Sequence, residues 1–307
     1  MHNSSPLVSV SMPVFNGEAF LEEAIQSILG QTLGDLELIV TDNASTDRTR
    51  EICEDFLQRD PRVRYFRSSR NFGAARNFNW GYSLSRGKYF KWAASDDICA
   101  PTFLEECVKV VEARKDVILC YPREVDIDSR GNFVRETRYR FDTSLRRPEE
   151  RFGAVIGINR GSPPIFGVMR KADLADTDLI GGYDASDQVL LAHLALKGNY
   201  AEVPRDLFLH REHEKRSVRA CPTRATATVW FDTGKAGRIV LPEWRIFYEY
   251  LRVIQRVPLD LRQRTICWLH LARWVKRKKR YVRMFTDIGN AVERAWGHAA
   301  QPGIDVG

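Results

Sequence analysis

In the stretch KYFKWAASDDICAP, Lys88 to Pro101, a β-prone aromatic run gives way to small residues and then to two adjacent carboxylates, Asp96 and Asp97. Like charges that close repel unless something compensates them. Water does so at a solvated turn, and a divalent cation does so at a metal site. Mg²⁺ or Mn²⁺ takes one or two protein carboxylates, keeps waters and accepts phosphate oxygens as further ligands, so the pair is suited to holding a diphosphate through a cation. The chain has neither GxGxxG after its first strand nor GxxxxGK[ST] anywhere. A Gly-rich phosphate loop is therefore not what a nucleotide would meet here.

The elements that must position such groups alternate over the first 120 residues. LVSVSMP reads as a strand and Glu18 to Leu29 as a helix. LELIVTD is a second strand ending at Asp42, followed by a helix from Thr46 to Leu57. VRYFR, a helix from Ala74 to Ser85, the strand KYFKWAA, a helix from Pro101 to Arg114 and the strand VILCYP complete the series. That alternation predicts an α/β fold whose central sheet is mostly parallel and flanked by helices, with ligands at the carboxyl ends of the strands. VDIDSRGNFVRE then predicts two short strands around a turn at Ser129 to Asn132. A loop-rich stretch precedes a helix from Ser186 to Lys197, and NYAEVPRDLFLHREHEKRS predicts strand, turn, strand and a polar loop. Beyond Thr223 the pattern is helical, in EWRIFYEYLRVIQRV and LRQRTICWLHLARWVKRKKRYVRMF, separated by Pro258.

Composition bounds the class. A chain of 307 residues with 44% hydrophobic content can bury a large core. Its formal charge is +7, with the densest basic run at Trp274 to Arg283, which favours an anionic partner. Six cysteines stand in neither CxxC nor zinc spacing and read as reduced thiols. The N-terminus lacks a signal-peptide pattern, and no apolar run reaches the roughly 18 residues a membrane span needs. The expectation is a cytoplasmic protein, peripheral at most to the inner membrane surface.

VSVSMPVFNGEAFLEEAIQSILGQT, LELIVTDNASTDRT and NFGAARNFNWGYSLSRGKYFKWAASDD occur in this order, and together they resemble the inverting family 2 glycosyltransferases of GT-A fold, over roughly Leu7 to Val218. The resemblance implies transfer of a sugar from a nucleotide diphosphate donor, UDP-sugar first, to a hydroxyl of a glycan, lipid-linked or small-molecule acceptor, with Mg²⁺ or Mn²⁺ as cofactor. It implies that Pro13, Phe15, Asn16, Asp42, Asn71, Arg76 and Asp96 face the nucleotide, and that Asp97, with His213, holds the metal. Arg211, Lys215 and Arg216 would add charge beside it, and His210 lies in the same loop. GGYDASDQVLLAHLALKG matches the segment that carries the general base, giving Asp187 that role with Asp184 second. GSPPIFGVMR, with Phe166 and Gly167, and Asp184 would face the acceptor. One departure stands out: Ala94 replaces the acidic residue the family commonly has two positions before the pair.

The expected organisation is a GT-A domain over residues 1–222, with a nucleotide-binding half (1–120) and an acceptor-side half (121–222), and a helical extension over 223–307. Lys276 to Arg280 predicts a basic collar, which suits either solvent or an anionic membrane, and the aromatic tail helices suit a homodimer. No nucleic-acid-binding module accompanies the charge. A non-catalytic nucleotide-sugar-binding protein on the same fold is the alternative reading.

Overall fold

The first strand shows how the layers are set. In β1 (Val8–Val14), Val8, Val10, Met12 and Val14 point into one core while Ser9 and Ser11 point to the other face. Alternation of this kind assigns each face of the strand to a different layer. In the computed structural model, which describes residues 5–137, 145–157, 163–214, 216 and 221–295, α1 (Leu21–Leu29) and α2 (Thr49–Arg59) cover the apolar face. The small serines admit α3 (Ala74–Leu84) on the other: a Cβ on Gly81 would lie 1.8 Å from Ser11 Oγ.

β2 (Leu36–Asp42), β3 (Val63–Arg67) and β4 (Tyr89–Trp92) join β1 in parallel in the order β3-β2-β1-β4. The chain therefore leaves β1 first to one side and later to the other. The crevice between the carboxyl ends of β1 and β4 is a topological switch point, where ligands bind in open α/β sheets. The sheet continues β8-β6-β9-β5 from β5 (Ile98–Cys99), β6 (Val117–Ile127), β8 (Val168–Arg170) and β9 (Asn199–Arg211), with β7 (Phe133–Thr137) on the rim of β6. α4 (Phe103–Ala113) packs with α1 and α2. α5 (Pro148–Ile156), the short α6 (Lys171–Leu174) and α7 (Ser186–Lys197) belong to the α3 side.

The tail helices α8 (Arg224–Phe231), α9 (Pro242–Arg256), α10 (Leu261–Lys276) and α11 (Arg280–Ala295) do not form a core of their own. Ile246, Tyr250, Val253 and Ile254 of α9 and Cys267, Leu271 and Trp274 of α10 share one cluster with Phe152, Leu190, Leu194 and Trp92. The boundary at residue 222 thus divides the chain but not the packing. No helix among the described residues is long and apolar enough to cross a membrane.

Several sequence expectations change. NYAEVPRDLFLHR is one 13-residue strand rather than two, because a shift of register against β6 absorbs Pro204, which has no N–H to give a ladder. The helix read through to Phe285 is broken. The backbone leaves α10 at Arg277, Lys279 adopts φ 52°, and Arg280 turns inward to stack 4.2 Å over Trp274. Arg280 is therefore buried, and the collar expected of Lys276 to Arg280 loses one of its five cations. β5, β8 and α5 had no signal strong enough to be read. Gly161 and Ser162 of the expected acceptor stretch, and Lys215, lie outside the described residues.

Gly81→Ala should destabilise the protein by about 1–3 kcal/mol, as overpacking does. Ser11→Ala, which removes the clashing hydroxyl, should recover part of that loss. Urea midpoints of the two single variants and the double variant check this, and simple additivity would show that the contact is not the cause.

Candidate active site

The loops that follow β1 and β2 are laced together. The Asn16 amide donates to Ser45 Oγ at 2.9 Å, and the Thr46 amide donates to Asn16 Oδ1 at 2.8 Å. Asn16 holds φ 53°, a left-handed conformation that asparagine tolerates. Its side chain therefore ties the two loops, with Phe15 exposed beside it and Pro13 buried in β1. Asp42 is fully buried and its carboxylate is already bonded: Oδ1 accepts from the Ser45 amide at 2.8 Å, and Oδ2 accepts from Tyr65 Oη at 2.7 Å and Arg67 Nε at 3.2 Å. To reach a nucleotide it would have to exchange these partners.

Asn43, which sequence reasoning passed over, accepts from the Phe72 amide at 3.0 Å and donates to Asn71 Oδ1 at 2.8 Å. These bonds place Asn43 and Arg76 on the wall of a cavity of about 400 Å³, together with Arg67, Phe72, Asn77 and Trp80. Arg76 lies 5.4 Å from the Phe72 ring centroid and is exposed. The only sequence signal for Asn43 was its position one residue past the end of the second strand.

The Asp pair follows β4. Asp97, 6% exposed, accepts the Arg211 amide at 2.8 Å on Oδ1, and Asp96 Oδ2 is 2.9 Å from His213 Nε2. Burial, and next to it the charge of Asp96, push the Asp97 carboxyl well above the usual carboxylate range. Two carboxylates and an imidazole make an oxygen-rich donor set with a single nitrogen, and the repulsion in the pair is what a divalent cation would relieve. The donor chemistry suits such an ion, but among the described residues the group of carboxylates and imidazole whose ligand atoms all lie within 4.8 Å of one another is Glu124, Asp126 and His210, not these three.

Arg211, expected to add charge beside the metal, is 1% exposed and acts as a clasp instead. It donates to the Asp96 carbonyl at 2.9 Å and to the Asp128 and Ser129 carbonyls at 3.3 Å, pairs with Glu23 of α1, and lies 4.8 Å over the Phe20 ring. The same ring packs against His213 at 4.8 Å.

Next to the pair stands a cluster that the sequence did not disclose. Ligand atoms of Glu124, Asp126 and His210 lie within 4.8 Å of one another. Glu124 and Asp126 alternate on β6, and the register of β6 against β9 sets Asp126 opposite His210. The Arg216 guanidinium, which can only donate, approaches His210 Nε2 at 2.7 Å, so Nε2 accepts and Nδ1–H faces Asp126 Oδ1 at 3.3 Å. Glu124 is close enough to Asp97 for its charge to raise that carboxyl further.

On the side expected to face the acceptor, Asp187 occupies the first turn of α7, near enough to buried Tyr250 for its charge to act on the phenol. Asp184 pairs with Arg224 of α8 at 2.6 Å, and Arg224 reaches on to Glu243 of α9 at 3.2 Å. Burial pushes the Asp184 carboxyl up, and Arg224 opposes the shift. The Phe166 carbonyl accepts from the fully buried Lys91 at 2.7 Å, while Gly167 is packed so tightly that a Cβ would lie 2.5 Å from the Cys120 carbonyl. Trp92 fills the core and donates its indole N–H to the Phe78 carbonyl.

A parallel α/β half, with a nucleotide-sized cavity and an Asp pair, one of the two buried, at its switch point, has the form of a GT-A nucleotide-sugar fold. The chain belongs to glycosyl transferase family 2, whose sequence profile matches residues 9–174. It is 36% identical over 141 residues to an uncharacterized glycosyltransferase of Methanocaldococcus jannaschii, covering 44% of this chain and 49% of that one. It is also 36% identical over 131 residues to chondroitin synthase of Escherichia coli, covering 42% of this chain and 19% of the synthase. The matches thus span about half the length of these relatives or less. Among solved structures, the fold is similar to S. aureus TarS 1–349 in complex with UDP-GlcNAc, with TM-score 0.65 at 16% identity over 94% of this chain and 81% of that one. It is similar as well to the mannosyltransferase PcManGT of Pyrobaculum calidifontis in complex with GDP-Man and Mn²⁺, with TM-score 0.52 at 14% identity over 97% of this chain and 89% of that one.

A carboxyl whose folded pKa lies above its unfolded value binds more protons in the folded state between the two values. Without a divalent ion, stability should therefore fall as pH rises from the ordinary Asp value, 3.8, toward the raised value of Asp97, and stay low above it. Asp97→Asn keeps the acceptor for the Arg211 amide and removes the charge. The variant should melt higher than the parent at pH 7.5 in EDTA, and should lose the upward shift that Mn²⁺ gives the parent. A melting point lowered in EDTA would mark Asp97 as a purely structural carboxylate.

Proposed function

We propose that this protein is an inverting glycosyltransferase that moves a sugar from a nucleoside diphosphate donor, UDP in the first instance, to an acceptor hydroxyl on a glycan, lipid-linked or small molecule. The observation that carries the reading is the Asp96–Asp97 pair, with Asp97 buried and half-buried Asp96 joined by His213, at the switch point of the sheet. In this reading the base and ribose occupy the cavity walled by Asn43, Arg76 and Trp80, and Asp97 and Asp96, with His213, would hold a divalent cation. When bound, that cation supplies charge neutralisation for the departing diphosphate. Glu124 of β6, whose charge acts on Asp97 and whose carboxylate stands with Asp126 and His210, would be a third carboxylate beside the pair where Ala94 offers none.

Asp187 takes the proton of the acceptor hydroxyl as that oxygen attacks the anomeric carbon from the face opposite the diphosphate. Its place in the first turn of α7 favours the carboxylate through the helix dipole, as a base requires. Asp184, paired with Arg224 and half-buried, shapes the acceptor side rather than moving the proton. UDP is the nucleotide bound in TarS, and we carry it to this chain on fold similarity.

Asp187→Asn should lower turnover by about 10²–10⁴-fold, the usual contribution of a general base, while UDP binding in Mn²⁺ stays within a fewfold of the parent. Initial rates of donor consumption with an acceptor mixture, run beside calorimetric titration of UDP, check both halves. Full turnover in the variant would remove Asp187 from the chemistry. Glu124→Gln should weaken Mn²⁺ binding severalfold in the same titration, and unchanged affinity would exclude Glu124 from the metal site.

A further inference from the structure

The last helix presents an apolar stripe to solvent. Met284 of α11 faces the core, yet Tyr281, Phe285, Ile288 and Val292, which follow one another at helical spacing, are exposed by 45, 69, 41 and 51%. Residues at i, i+4, i+7 and i+11 lie on one side of a helix. Trp244 of α9, itself partly exposed, donates its indole N–H to the Met284 carbonyl at 2.9 Å and so sets an aromatic side chain against the same helix. Isolated surface hydrophobics are ordinary, but a continuous aromatic and branched stripe marks a docking surface.

Charge selects the occupant. From Thr223 onward the chain has 16 Lys and Arg against 7 Asp and Glu, so the whole positive excess lies in the tail and the preceding 222 residues carry a net −2. Lys276, Arg277 and Lys279 are exposed just before the first residues of the stripe. Asp287, an acidic residue of α11, turns inward to accept the Glu243 amide at 2.9 Å. Two copies joined through this face would bring two cation clusters together. An anionic bilayer would neutralise them while accepting the apolar side chains.

We propose that α11 and Trp244, with Lys276, Arg277 and Lys279, form an interfacial surface that seats the protein on an anionic membrane. A helix of 16 residues lying in the interface plane, aromatic and aliphatic side chains down and cations at headgroup level, has the form such surfaces take. The assignment does not depend on the glycosyl-transfer reading.

The test is co-sedimentation of the full-length protein with vesicles of phosphatidylcholine alone and of phosphatidylcholine with one third phosphatidylglycerol. Binding should favour the anionic vesicles at least tenfold and weaken with added salt. Phe285→Gln with Ile288→Gln should abolish it while leaving the melting temperature in place, since both side chains are exposed. Lys276→Gln with Lys279→Gln should reduce it more than tenfold, at about fivefold per cation. Equal partition to neutral and anionic vesicles, no binding at all, or full binding by the Phe285/Ile288 variant would overturn the proposal. So would a dimer in analytical ultracentrifugation that the same variant dissolves without any vesicle binding, because the stripe would then belong to a second copy. Binding to duplex DNA but not to vesicles would overturn it as well.

Discussion

Two adjacent carboxylates, one of them buried, cannot both stay charged at low cost, and much of the molecule is arranged around that fact at Asp96 and Asp97. One oxygen of Asp97 is met by a backbone amide from the end of β9, and Asp96 is met by an imidazole from the loop beyond. The amide brings no full charge to Asp97, and the Arg211 guanidinium is directed at carbonyls and at Glu23 instead. The charge of Arg216 opposes the upward shift of the Asp97 carboxyl but does not overcome burial and the charge of Asp96, and an approaching cation would relieve what is left. Burial sets the strength of the demand: the low local dielectric that raises the Asp97 carboxyl is what would make an incoming cation bind.

The two faces of the sheet serve this turn differently. The face carrying α1, α2 and α4 is a conventional apolar layer that fixes β1 and β2, so the loops beyond them can be laced by Asn16, Ser45 and Asp42 into a rigid rim. The other face brings α3 against the serines of β1, which is how Arg76 and Trp80 reach the cavity, and brings α7 with its acidic first turn. Lys91 bridges the two functional sides. Fully buried between Phe103 and Phe208, its ammonium binds the Trp92 and Phe166 carbonyls and so joins the strand that ends in the Asp pair to the turn expected to face the acceptor.

The parallel half was legible because each of its strands is a continuous or alternating apolar run followed by an amphipathic helix, and both periods are local. The Asp pair, the helix from Ser186 and the hairpin ending in β7 were legible for the same reason. β5 and β8 are two and three residues long and exist through their partners rather than through any pattern of their own. The Glu124, Asp126 and His210 cluster is a matter of register between strands more than 80 residues apart, and one sequence does not record register. Asn16, Asp42 and Asn71 show the reverse limit. Motif position marked them as ligand-facing, but the hydrogen bonds they make to Ser45 and Thr46, to Tyr65 and Arg67, and to Asn43 depend on how those loops meet.

The core shared between the tail helices and α5 and α7 bears on how such a chain can diversify. A segment that closes its own core can be exchanged between relatives as a module, since its neighbours need not change with it. Here Tyr250 and Trp274 from the tail pack with Phe152 and Leu190 from the domain, and Arg224 reaches back to Asp184 in the segment that leads into α7. A graft that replaced the tail would therefore also alter the packing beneath the acceptor side. Tail and α7 segment thus behave as one packed unit, and a change made in either is felt in the other.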